Sequence, residues 1–150
     1  MRPPRAGRRL RPMEKPELER LRVADAMHHG ILTCPPATPL RTVAKMMAGY
    51  GVHCIAVFVD IDESDEDGRL WGIVSDLDLV GAAAEGVEER TAYGTAASPL
   101  VTVTPDETLA RASRLMRDHG TAHLVVVDPA SDQPLGVLST LDVARALAGS

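Results

Sequence analysis

The chain has 150 residues, 45% apolar and 25% charged, a composition that suits one ordinary domain or two very small ones. Its net charge of −5 is uneven: residues 1–22 hold eight Lys/Arg against three Asp/Glu, while the other 128 hold eight against eighteen. An acidic body with one Trp, two Tyr and one Phe argues against generic nucleic-acid binding and against base-stacking platforms, and no run reaches the ~20 apolar residues of a membrane span.

Residues 1–22, rich in Arg and Pro and without periodicity, read as a flexible basic arm ending in a short helix around Pro16 to Arg22. A solvated tail is the simpler reading of the arm, and RNA or an acidic partner is the alternative. Arg8 and Arg9 imitate a twin-arginine signal, but Leu10-Arg11-Pro12-Met13-Glu14-Lys15 follows with no apolar segment, so the expected location is cytoplasmic. Cys34 and Cys54 are too few for a disulfide scaffold and lack metal-ligand spacing, which suits a reducing compartment.

From Val23 onward an internal repeat dominates. Ile31 to Val59 aligns with Leu100 to Asp128 at an offset of 69, pairing Thr33 with Thr102, Pro36 with Pro105, Leu40 with Leu109, Met47 with Met116, Gly51 with Gly120 and Val57 with Val126. Gly72-Ile73-Val74-Ser75-Asp76-Leu77-Asp78 then matches Gly136-Val137-Leu138-Ser139-Thr140-Leu141-Asp142 at an offset of 64. The five extra residues of the first copy fall in an acidic loop, Asp60 to Gly68, between two predicted strands.

Each copy opens with a short apolar stretch, Ile31 to Cys34 or Leu100 to Val103, then a Pro and an expected capping residue, Thr38 or Asp106. A helix follows with its apolar face at Leu40, Val43 and Met47, or Leu109, Ala112 and Met116, ended by Gly51 or Gly120. Two strands come next, Ile55 to Val59 and Leu70 to Val74, or Leu124 to Val127 and Leu135 to Leu138. An alanine-rich helix from Ser75 to about Ala84, or from Ser139 to Leu147, completes a β-α-β-β-α unit of about 60 residues. One such unit buries too little surface to stand alone, so an α/β (α+β) fold of two units packed through their sheets is expected.

The heptad Gly-apolar-apolar-Ser-x-x-Asp has a structural explanation, a helix capping box. Its recurrence at two strand-to-helix junctions adds a functional one. A helix N-terminus with a hydroxyl favours an anion, and an Asp on the first turn can accept bonds from vicinal ribose hydroxyls. Two such heptads, each preceded by an apolar-Thr-x-x-Pro stretch (Thr33 to Pro36, Thr102 to Pro105), a Met-bearing helix and an Ile/Leu-x-Val strand, resemble the cystathionine β-synthase (CBS) domain family over Val23 to Gly149.

The resemblance implies a first CBS domain over 23–86, a second over 87–150, and clefts that bind AMP, ADP, ATP or S-adenosylmethionine. It places Asp78 and Asp142 on ribose hydroxyls and Ser75 and Ser139 near ribose and phosphate. Thr33, Cys34, His53, Cys54, Ile55 and Ala56 would border the adenine of the first site; Thr102, Val103, Ala122, His123, Leu124 and Val125 that of the second. Asp76 follows the first Ser where Thr140 follows the second, so the second site is expected to bind a phosphate more tightly, by Coulomb terms of about 1 to 4 kcal/mol at ~4 Å. Arg41, Arg117 and His119 are candidate phosphate partners. The resemblance further implies a homodimer through the alanine-rich helices and an unidentified regulated partner, with no cofactor and no catalytic activity.

Other candidates are weaker. Glu63, Asp65, Asp67 and Gly68 imitate an EF-hand loop, but its twelfth position is Val74, where a bidentate Glu is required. Cys34, His53 and Cys54 offer poor zinc spacing, and a thiol-linked redox protein or enzyme ranks third, behind a ligand-free interaction module. No nucleophile-and-base arrangement accompanies His28, His29, His119 or His123.

Overall fold

A computed structural model of the chain describes residues 15–59, 68–96 and 100–149. The basic arm up to residue 14 and the acidic insertion 60–67, with its EF-hand-like Glu63, Asp65 and Asp67, lie outside the described residues.

The chain starts with two short helices, α1 (Lys15–Arg20) and α2 (Val23–Ala26), and strand β1 (His28–His29). The first repeat follows as β2 (Thr33–Cys34), α3 (Leu40–Tyr50), β3 (Cys54–Val59), β4 (Arg69–Ser75) and α4 (Asp76–Glu85). After α5 (Ala92–Thr95), the second repeats the order as β5 (Thr102–Val103), α6 (Leu109–His119), β6 (His123–Val127), β7 (Pro134–Ser139) and α7 (Thr140–Leu147). In each repeat a parallel pair (β2 with β3, β5 with β6) continues into an antiparallel hairpin (β3 with β4, β6 with β7). Both long helices end at a glycine in the left-handed region, Gly51 at φ 67° and Gly120 at φ 60°, which frees the last carbonyls to be bonded.

Strand alternation divides the core. Ile55 and Val57 of β3 face α3 and α4 with Cys34, Leu40, Val43, Met47 and Val74. Leu124 and Val126 occupy the equivalent places among Val103, Leu109, Ala112, Met116 and Leu138. The intervening residues face the other sheet: Ala56, Ile73, Val125 and Val127 form one buried cluster with Ile31, Phe58, Leu70 and Leu100 packed on it. The repeats therefore pack through their sheets.

Each repeat lends its leading helix to the other. Val23 and Met27 are buried in the second repeat's core, and Ala92, the repeat equivalent of Val23, is buried in the first's. β1 likewise adds an antiparallel edge to β7, His28 opposite Val137 and His29 opposite Gly136. This exchange corrects the expected capping of the long helices. Neither Thr38 nor Asp106 is an N-cap: Thr38 closes a turn by donating to the Pro35 carbonyl, and the caps are Pro39 and Thr108. The first amides of α3 and α6, Leu40 N–H and Leu109 N–H, instead donate to Arg90 and Leu21 carbonyls from the exchanged segments, at 3.0 and 2.9 Å. Trp71 of β4 stacks on Tyr93 of α5 with centroids 4.7 Å apart, tying the second exchanged helix to the first sheet.

Candidate functional site

Both heptads form complete capping boxes. Ser75 Oγ accepts from the Asp78 amide at 3.2 Å, and Asp78 Oδ2 accepts from the Ser75 amide at 2.8 Å and lies 3.0 Å from its hydroxyl. Ser139 and Asp142 reproduce the three distances. A capping box consumes one carboxylate oxygen; the other is where a ligand's hydroxyls could be met.

The other candidate residues gather around these caps through strand register. Thr33 lies opposite Ala56, and Cys54 opposite Ser75; the Asp76 amide donates to the His53 carbonyl at 3.0 Å. In the second repeat Thr102 lies opposite Val125, His123 opposite Ser139 and Leu124 opposite Leu138, and the Thr140 amide donates to the Ala122 carbonyl at 3.0 Å. Thr33, His53, Thr102, Ala122 and Thr140 are exposed, while Ser75, Asp78, His123 and Ser139 are half-buried. Cys34, Ile55, Val103 and Leu124 turn their side chains into the helix-facing cores, so a molecule between the sheets would meet only their backbone. Ala56 and Val125 sit in the inter-sheet cluster.

Polar pairings not foreseen from the sequence complete the picture. His28 Nε2 lies 2.8 Å from Asp142 Oδ1, and Arg145 Nη1 lies 3.6 Å from the same oxygen. In the first repeat His53 Nδ1 lies 3.0 Å from Asp76 Oδ2, a hydrogen bond that holds the Asp76 carboxyl below the usual carboxylate range. His123 is pushed below the ordinary imidazole range by burial, partly offset by the charge of Asp76, with His53, Asp142 and Asp78 contributing further. The two caps thus share one electrostatic neighbourhood around His123. Cys54, the repeat equivalent of His123, is raised to about 11 by burial and then by Asp76, and burial also raises Cys34. Such thiols are poor nucleophiles and poor redox sensors.

The suggested phosphate partners all lie on the long helices of the two repeats. Arg41 pairs with Glu88 and Arg117 with Asp118, while His119 sits in the last turn of α6. A cleft of about 580 Å³ opens between the hairpin ends, lined by Phe58, Arg69, Leu70, Leu100, Thr102 and Val127. A shallower groove of about 470 Å³ runs between α6 and α7, bordered by Met116, Arg117, Ala122, Thr140 and Val143. Neither is lined by Ser75, Asp78, Ser139 or Asp142. Among the described residues no group of three His, Cys, Asp or Glu is placed to hold a metal ion, and no helix is long and apolar enough to cross a membrane.

Fold and caps together define a class: a tandem pair of β-α-β-β-α units that exchange leading helices and face each other through their sheets. The chain belongs to the CBS domain family, whose profile matches residues 23–85 and 95–149. It is similar to the CBS domain pair of protein MJ0100, solved in complex with 5′-methylthioadenosine and S-adenosyl-L-methionine, with 19% identity, a TM-score of 0.72, and coverage of 85% of this chain and 96% of that one. A hexameric CBS-CP12 protein from bloom-forming cyanobacteria matches with 21% identity and a TM-score of 0.70, over 83% of this chain and 69% of that one. Arabinose 5-phosphate isomerase KdsD from Pseudomonas aeruginosa is 32% identical over 136 residues, 84% of this chain; the chain spans only 38% of that enzyme's length.

Proposed function

We propose that the chain is a non-catalytic regulatory module that binds an adenosine-containing ligand, AMP, ADP, ATP or S-adenosylmethionine, between its repeats and passes the binding event to a partner protein. The observation that carries this reading is Asp78. It is half-buried at the N-terminus of a ten-residue helix, and among the described residues the hydrogen bonds to its carboxylate come from Ser75 and fall on Oδ2, with Oδ1 turned to no other donor and suited to ribose hydroxyls. Adenine would be held by aliphatic side chains and strand backbone, since aromatics are scarce. With both thiols buried and poorly ionised, the redox alternative has little chemical support.

Ligand binding stabilises the folded state by mass action, about 2.7 kcal/mol at a hundredfold excess over Kd. For a chain of this size that raises Tm by on the order of 5–10 °C. Thermal shift with AMP, ATP and S-adenosylmethionine should show such a rise with at least one of them, lost when Asp78 and Asp142 are both replaced by Ala. No rise with any of the three would favour the ligand-free interaction module, and with it the bare reading of the heptads as helix caps. The buried thiols fit a reducing compartment, and we place the module in the cytoplasm; localisation of a tagged chain tests that.

A further inference from the structure

The two caps are alike in every bond between Ser and Asp, yet they differ in what meets the remaining carboxylate oxygen. Asp142 is 3% exposed. Its Oδ2 is taken by the Ser139 amide and hydroxyl, and its Oδ1 faces His28 Nε2 at 2.8 Å and Arg145 Nη1 at 3.6 Å. Every acceptor position of that carboxylate that could serve a ribose therefore has a protein donor beside it. Asp78 differs. Among the described residues no side chain faces its Oδ1, and at the repeat offsets of 69 and 64 the sequence puts Ala97, outside the described residues, and Gly81 where the second repeat has His28 and Arg145.

His28 is held in place by its strand. Met27, next to it, is buried in the second repeat's core, β1 pairs with β7, and the Gly30 amide donates to the Leu135 carbonyl at 2.7 Å. Gly136 makes the approach possible: a Cβ there would fall 1.9 Å from the His28 carbonyl oxygen, so any other residue would push the strand, and His28 with it, off the sheet.

We propose that His28 is a built-in occupant of the second ribose position, so that the module takes one adenosine ligand per chain, at the Asp78 cap, and opens a second site only when His28 is removed or displaced. The inference rests on the adenosine reading above and reverses the expectation from Asp76 and Thr140 that the second site is the tighter one. It also makes the N-terminal segment a control point: whatever pulls β1 away uncovers Asp142.

Native mass spectrometry and calorimetric titration of the full chain with AMP, ATP and S-adenosylmethionine test it. The wild type should bind one molecule per chain, with affinity at least tenfold weaker in Asp78→Ala and unchanged within about twofold in Asp142→Ala. His28→Ala should bind two, and His28→Ala combined with Asp142→Ala should return to one. His28→Gln, which keeps a donor on the strand, should stay at one and guards against a general disturbance of β1. Two molecules per wild-type chain, or a single site lost in Asp142→Ala and kept in Asp78→Ala, would overturn the role of His28 while leaving the adenosine reading intact. Absence of binding in both the wild type and His28→Ala would overturn that reading and this inference together.

Discussion

Position for position, the repeats put different side chains in equivalent places, and most of the chemistry lies in those differences. Cys54 and His123 occupy the same position at the start of their central strands, and burial favours the neutral form of both, an effect that Asp76 reinforces at Cys54 and opposes at His123. For His123 this has a consequence for stability. The unfolded chain takes up a proton at about pH 6.5, whereas the folded chain resists it, so acidification through that range favours unfolding. Asp76 acts in a lower window: its depressed carboxyl contributes stability at neutral pH that is lost only as pH falls through its lowered folded value. Between pH 7 and 5, His123→Gln should therefore lose less Tm than the wild type. A Tm loss equal in both proteins across that range would show that His123 does not contribute to it.

At the scale of elements, the exchanged helices bind the two repeats into one folding unit. Removing residues 1–29 takes Val23 and Met27 from the second core, at about 1.5–3 kcal/mol each, along with the carbonyl that receives the Leu109 amide. The truncated chain should melt on the order of 10 °C lower and expose the second sheet, with early hydrogen exchange in β6 and β7. An unchanged melting temperature would mean that the segment is an ornament.

This scale also separates what could be read from the sequence from what could not. Helix faces such as Leu40, Val43, Met47 and their partners were legible because a 3.6-residue period over eleven residues is a strong signal, and the glycine stops because Gly51 and Gly120 fit a left-handed position. The exchange was not legible. α2 and α5 have four residues each, too few for periodicity, and β1 is two histidines whose partner lies more than a hundred residues away. The capping boxes could be recognised because they are local. The pairing of His28 with Asp142 could not, because it depends on that long-range exchange.

For the whole molecule, the acidic body and the outer helices suggest how the module meets other chains. Leu77 and Val80 of α4 and Leu141 and Leu147 of α7 are 74, 64, 54 and 48% exposed, large apolar side chains left on the outside of both helices. Because α4 carries Asp78 on its first turn, a copy seated on that surface would sense ligand through the same helix. A homodimer through α4 and α7 is the arrangement we expect. Sedimentation velocity should show a dimer that Leu77→Glu with Leu141→Glu reduces to monomer, and a monomeric wild type would rule that dimer out.

On this reading the Asp78 cap grips the ribose of an adenosine ligand. A crystal structure of the full chain grown with ATP or S-adenosylmethionine tests it most directly. Ribose hydroxyls are expected on Asp78 Oδ1, adenine between the sheets beside Thr33 and Ala56, and Asp142 still facing His28. Ligand bound only in the groove between α6 and α7, or at Asp142 with Asp78 bare, would contradict it.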